Sequence, residues 1–193
     1  MIQLLLACLG LVALVAAPAL AQAPAPTPSP PPAAGKGGAA KAPTAIITLE
    51  KGGEIVLEFF PDVAPRHVEN FVKLARQKFY DGQRVHRVEP NFVVQFGDPQ
   101  SKTLPLDDPR MGSGGPGYTI KAEFNKTPFE RGILGMARTN DPHSAGSQVY
   151  IMLGAAPFLN GKYTAFGRVV SGMGAVDQIR VGDRITSIKV VTN

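Results

Sequence analysis

The stretch VHRVEPNFVVQFGD, residues 85–98, carries a side chain that its surroundings do not explain. Val85, Val88, Phe92, Val93, Val94 and Phe96 mark a core-forming strand, yet Arg87 stands inside it, with His86 beside it and Gln95 further along. A guanidinium cannot shed its charge and presents a rigid fork of N–H donors. It can steady electron density, but it cannot serve as a base or a nucleophile. Residues of a strand point alternately to its two faces. Arg87 therefore either lines an outward groove or is a surface arginine lying over apolar neighbours.

Other chemistries find little support. His67, His86 and His143 show no metal-ligand spacing and no surrounding carboxylates. His67 is expected to be exposed near the start of a helix, His86 to be packed and hydrogen-bonded, and His143 to lie in the loop TNDPHSAG. Ser144 and Ser147 lack the G-x-S-x-G context of an activated serine. Met136 and Met152 read as core. GSGGPG, residues 112–117, satisfies G-x-G-x-x-G as a string. A dinucleotide site, however, needs a strand before it and a helix after it. Here DDPRM precedes, GYTI follows and Pro116 interrupts, so it reads as a loop. No metal or cofactor is expected.

The elements that must position Arg87 are mostly strands. Residues 45–50 and 54–60 face each other across Lys51-Gly52-Gly53, a hairpin signal. Further strand-like runs are 91–97, 117–124, 132–137, 147–153, 164–170 and 185–191. One helix is predicted from Pro65, with Val68, Phe71, Val72, Ala75 and Phe79 on one apolar face and Gly82 at its end. A shorter helix is predicted over 173–181. Many strands, few helices and no βα alternation predict a mainly β fold, an eight-stranded antiparallel closed barrel capped by two helices. Side chains fill the interior of so small a barrel, so a ligand site belongs on its outer face.

The domain occupies residues 44–193, 150 of the 193 residues. Residues 1–21 read as a signal peptide: 4–20 are apolar and Ala19-Leu20-Ala21 suits cleavage, although no Lys or Arg precedes the run. Retention as a membrane anchor is the alternative. Leu5-Leu6-Ala7-Cys8 resembles a lipid-attachment box but comes too early in the apolar run. Cys8 is the only cysteine, so the mature chain has no disulfide and no thiol chemistry. Residues 22–43 are Pro-, Ala- and Gly-rich, a linker that buries too little to fold. The chain carries +5, and Lys36 and Lys41 lie in the linker, which leaves +3 on the domain. That charge is scattered, no Lys/Arg run is present and Trp is absent, which argues against nucleic acid.

Three segments, HRVEPNFVVQFGD (86–98), GILGMARTNDPHSAGSQVYI (132–151) and FLNGKYTAFGRVVSGM (158–173), resemble the cyclophilin-type peptidyl-prolyl cis-trans isomerases in this order and spacing. The resemblance covers about residue 44 to the end. It implies a helix-capped barrel with a shallow outer groove for proline-containing polypeptides, and no cofactor. It makes Arg87 the catalytic arginine. Phe92 and Tyr150 match aromatics around the proline pocket, Val93 stands where methionine is usual, and Leu159 matches a pocket leucine. Gln95 and Gln148 match groups that hold the substrate backbone, and Ala137, Arg138 and Thr139 match the stretch beside the peptide. Phe158 and Tyr163 stand where many relatives have tryptophan and histidine. Without an indole N–H at Phe158, weak cyclosporin binding is expected. Phe96 replaces a glycine common in the family, and the sequence alone leaves open whether it faces the core or the groove.

An exported, periplasmic folding enzyme follows from the resemblance and the signal together, with secretion as the alternative and no stable membrane insertion after cleavage; a monomer is expected, since nothing in the sequence suggests more. Two rivals stand beside it. One is a non-catalytic chaperone or scaffold of the same fold, which the presence of Arg87 opposes. The other is an envelope-anchored structural protein displayed on the Pro-rich spacer.

Overall fold

The computed structural model describes residues 42–191. The expected signal peptide and all but the last residues of the linker lie outside them. Within the described residues the chain forms β1 (Thr44–Leu49), β2 (Glu54–Phe59), α1 (Pro65–Arg76), β3 (Arg87–Glu89), β4 (Val93–Phe96), β5 (Ile133–Met136), β6 (Val149–Met152), β7 (Ala165–Ser171), α2 (Met173–Asp177) and β8 (Ile185–Val191). The eight strands make one antiparallel sheet in the order β3-β4-β6-β5-β7-β2-β1-β8.

The sheet curls into a half-barrel. Its edge strands β3 and β8 are not paired with each other, so the expected closed barrel is not drawn by the ladder. The chain just before each edge does meet. Arg84 bridges Arg184, and the Val85 and Ile185 N–H groups donate to Asp183 O and Gln83 O, each at 2.8 Å.

The hairpin across Lys51-Gly52-Gly53 forms as expected, with the Leu49 N–H donating to Gly53 O at 3.2 Å. The membership of the strand set differs from the expectation, although the number agrees. Residues 117–124 form no strand, and their single bridge, Ile120 to Ala145, joins the segment just before β6 and lies outside the sheet. Polar side chains there and just beyond work elsewhere, Glu123 on α1 and Asn125 on the Ala165 carbonyl. The missing strand is β3. Pro90 and Asn91 split the single expected run into two strands. Asn91 has φ 61° and the Phe92 N–H closes the turn on Glu89 O at 3.0 Å, the geometry in which proline leads and a left-handed residue follows.

α1 starts at Pro65, as expected, but stops at Arg76, before Gly82. Lys78 takes φ 57°, and the Lys78 and Phe79 N–H groups donate to Ala75 O and Leu74 O, the double closure of a Schellman end. Ala64 offers no side-chain cap at the other end. Glu123 supplies it from a distance, accepting the Arg66 and His67 N–H groups at 3.1 and 3.0 Å. His67 is thereby buried, 1% exposed, rather than exposed as expected. α1 buries Val68, Phe71 and Ala75 as expected, and widens that face with His67, Asn70 and Leu74. Phe71 packs there between Phe59, Tyr80 and Phe166, with ring centroids 5.1–5.8 Å apart. Met136 is core as expected, while Met152 is buried with the site's own cluster.

Candidate active site

The outer face of the sheet carries its own apolar cluster, separate from the main core. Val93, Phe129, Tyr150, Met152, Ala156, Leu159 and Ala165 are buried in it, with Phe92, Ala137 and Tyr163 packed on them. Alternation on β4 produces this division. Val94 and Phe96 point into the main core, Val93 and Gln95 to the outer face. Phe96 is therefore a core residue, set edge-on against Tyr80 at 6.1 Å, and does not crowd the groove.

Strand register builds one row across this face. Arg87 pairs with Gln95, Gln95 with Tyr150, and Tyr150 with Gly135. Gly135 is required in that row, since a Cβ there would overlap the Tyr150 ring. The open side of the row is a cleft of about 340 Å³ lined by Arg87, Phe92, Val93, Gln95, Ala137, Arg138, Tyr150, Phe158, Leu159 and Tyr163. These are the residues that the resemblance assigned, except Thr139 and Gln148. Thr139 lies beyond the rim, its N–H and hydroxyl bonded to Ser144 Oγ at 2.8 Å. Gln148 stands behind Gln95 and acts through it.

Arg87 is half exposed but not loose. Its Nη1 donates to Gln95 Oε1 at 3.2 Å, its Nε lies 3.4 Å from Glu89 Oε1, and its guanidinium carbon is 5.8 Å from the Phe92 ring centre. Gln95 Nε2 donates to Gln148 Oε1 at 3.0 Å, and Gln148 Nε2 donates to the Gly112 and Gly114 carbonyls at 2.8 Å each. The loop that offers those carbonyls is anchored by Asp98, which is fully buried. The Asp98 carboxylate accepts the N–H groups of Gln100, Gly112 and Gly114 at 2.8, 2.6 and 3.2 Å. Every amide in this relay has its orientation fixed by its neighbours, so Arg87 is aimed by a chain of bonds that begins at a buried carboxylate.

Sequence reasoning missed Glu89, Asp98 and Gly135. Glu89 was within reach of it, because residues two apart on a strand share a face. Asp98 and Gly135 act through contacts distant in sequence. His86 is packed as expected; Gln148 is its polar neighbour, although neither ring nitrogen makes a hydrogen bond of good geometry among the described residues. Burial lowers its pKa, and nearby Asp98 opposes that shift. His143 lies in its loop, its Nδ1 accepting the Ala122 N–H at 3.2 Å.

Solved structures share this fold. A cyclophilin-type peptidyl-prolyl cis-trans isomerase of Cryptosporidium parvum matches with a TM-score of 0.69 and 25% identity, over 79% of this chain and 99% of that one. A second crystal structure of that protein, determined in the presence of the dipeptide Ala-Pro, matches with a TM-score of 0.66. The fold is thus of the cyclophilin type, mainly β with eight antiparallel strands and two helices.

Sequence comparison carries the assignment further. The family model for cyclophilin-type peptidyl-prolyl cis-trans isomerase/CLD matches residues 44–192. A probable peptidyl-prolyl cis-trans isomerase of Brucella abortus is 47% identical over 147 residues, 75% of each chain. Peptidyl-prolyl cis-trans isomerase B of Bacillus subtilis is 41% identical over 149 residues, 76% of this chain and 97% of that one. The chain belongs to the cyclophilin-type peptidyl-prolyl cis-trans isomerases, a family of enzymes that turn the X–Pro bond.

Proposed function

We propose that Arg87 accelerates X–Pro rotation by binding the twisted amide better than either planar isomer. Rotation breaks amide resonance, a barrier of about 18–20 kcal/mol, and uncatalysed X–Pro exchange takes tens to hundreds of seconds. Millisecond turnover requires about 10⁴–10⁵-fold acceleration, roughly 5.5–7 kcal/mol. No covalent bond is made or cut. At the twisted state the proline nitrogen becomes pyramidal and regains its lone pair, which a guanidinium N–H can meet. Stabilisation confined to that state is the kind that raises turnover.

The observation that carries this reading is the aim of Arg87. Its guanidinium is held by Gln95, which Gln148 in turn holds, at the rim of a cleft whose floor is apolar. Phe92, Val93, Tyr150 and Leu159 take the pyrrolidine ring, Gln95 holds the substrate backbone with Gln148 bracing it from behind, and Ala137 and Arg138 run beside the peptide, with Thr139 continuing that stretch beyond the rim. One preorganised donor is worth about 2.7–4 kcal/mol by analogy with oxyanion holes. Holding the ring while the other side turns supplies the rest as ordering done in advance.

Exchange NMR on a short X–Pro peptide tests this. Arg87→Ala is expected to lose about 10²–10³-fold in kcat/KM, with a smaller loss in peptide binding. Arg87→Lys recovers little, because an ammonium lacks the planar fork. An Arg87→Ala enzyme as fast as wild type refutes the mechanism.

The same reading makes the protein a monomeric, exported, bacterial enzyme acting on proline-containing unfolded chains in the periplasm, supported by the apolar N-terminus and the Pro-rich linker. It also takes the curled sheet as a barrel closed through the Arg84–Arg184 bridge. Cyclosporin binds weakly in this reading, because Phe158 has no N–H to donate. Nanomolar inhibition in the isomerase assay contradicts that.

A further inference from the structure

The mechanism leaves one charge of the cleft unused. Arg138 lines the same cleft as Arg87. Its guanidinium carbon lies 4.3 Å from the Tyr163 ring centre and 5.8 Å from that of Phe124. Nε and Nη2 donate to Lys162 O at 3.2 and 2.9 Å, and Nη1 donates to Thr139 O at 2.8 Å and toward Asn140 O at 3.5 Å. All of these acceptors are backbone carbonyls. They fix the group in place without cancelling its charge.

Among the described residues, no carboxylate comes within ion-pair distance of Arg138. Asp141, in the neighbouring turn, instead accepts the His143 N–H at 2.8 Å. No Asp or Glu lines the cleft. Arg87 has Glu89 beside it, so Arg138 is the lining cation without an anionic neighbour. One Nη2 N–H also remains without an acceptor among the described residues. A guanidinium already immobilised by stacking and carbonyls loses little further freedom when it takes a ligand.

We infer that Arg138 sets substrate choice. It favours X–Pro segments that bring a carboxylate, an Asp or Glu flanking the proline, and disfavours segments that bring a Lys or Arg there. This rests on the isomerase reading above and deepens it by naming the charge of the preferred substrate.

The test uses blocked X–Pro peptides that differ only in Glu, Gln or Lys, placed immediately before the proline in one set and immediately after it in another. kcat/KM is measured by exchange NMR at low salt and at about 0.5 M salt, where the screening length falls to a few ångströms. In one of the two sets the wild type turns over the Glu peptide about three- to fivefold better than the Lys peptide, the size of a single solvent-accessible charge pair. High salt brings the ratio near one. Arg138→Gln also brings it near one, Arg138→Lys keeps most of it, and Arg138→Glu inverts it.

The readout is a ratio within each variant, so a general loss of activity on substituting Arg138 does not disturb it. Equal rates for Glu and Lys peptides in wild type overturn the preference and leave the isomerase standing. A preference that survives in Arg138→Gln overturns the assignment to Arg138. Turnover of no peptide overturns both readings.

Discussion

Tyr150 carries a hydroxyl that its surroundings do not satisfy. Its ring lies over Gly135 and beside Phe129 and Tyr163, with centroids 6.0 and 6.3 Å away. The residue is 5% exposed, and its oxygen has no hydrogen-bond partner among the described residues. Burial raises the phenol's pKa far above its ordinary value, with Tyr163 adding to the shift, so the group stays neutral. A buried hydroxyl without a partner costs about 1–3 kcal/mol. Tyr150→Phe is therefore expected to raise unfolding stability by about 1 kcal/mol, read from denaturant midpoints at constant slope. A loss of stability would show that the hydroxyl is satisfied in the folded protein. The sequence made this residue legible as an aromatic of the cleft, through the segment that contains it. It did not reveal the glycine that this ring needs opposite it, because Gly135 and Tyr150 meet only through register. Arg87 was legible for the opposite reason: a charge within an apolar run is a local anomaly.

α1 depends on a residue outside itself. Glu123 closes its first turn and also receives His67 Nδ1 at 2.7 Å. Burial lowers the His67 pKa, and the hydrogen bond and charge of Glu123 pull it the other way without prevailing. His86 shifts in the same direction, again chiefly through burial. A folded-state pKa below the unfolded value of about 6.5 means that the unfolded chain takes up protons first. Stability from these two groups is complete above about pH 6.5 and falls as pH drops toward their folded values, by at most about 1.4 kcal/mol per pH unit for each histidine. Melting temperature is expected to fall between pH 7 and pH 5, and to fall less in His67→Gln, whatever that variant's starting stability. An equal fall in both proteins contradicts the assignment. The helix itself was legible from Pro65 and its apolar spacing. Val68, Phe71 and Ala75 of its inner face were legible too, but His67 was not, because a distant carboxylate holds it where the pattern placed solvent. Residues 117–124 misled for a related reason: they alternate like a strand while the side chains of Glu123 and Asn125 reach into other elements.

At the scale of the domain, the cleft joins side chains from Arg87 to Tyr163, which no local pattern could have joined. The antiparallel order of β3, β4, β6 and β5 brings them into one row, and three ordered segments resembling a known family were what made the row legible beforehand. Curvature, the open ladder between β3 and β8 and the rigidity of the 98–114 loop were not legible, since they rest on backbone bonds between positions far apart in sequence. That loop settles the meaning of its glycines. A Cβ at Gly114 would collide with the Asp98 carboxylate. The glycines thus admit an anion as they do in nucleotide sites, but the guest is tethered to the host. A free phosphate arriving there would find its seat taken by the chain's own acid, and evicting that acid would slacken the arginine at the far end of the relay.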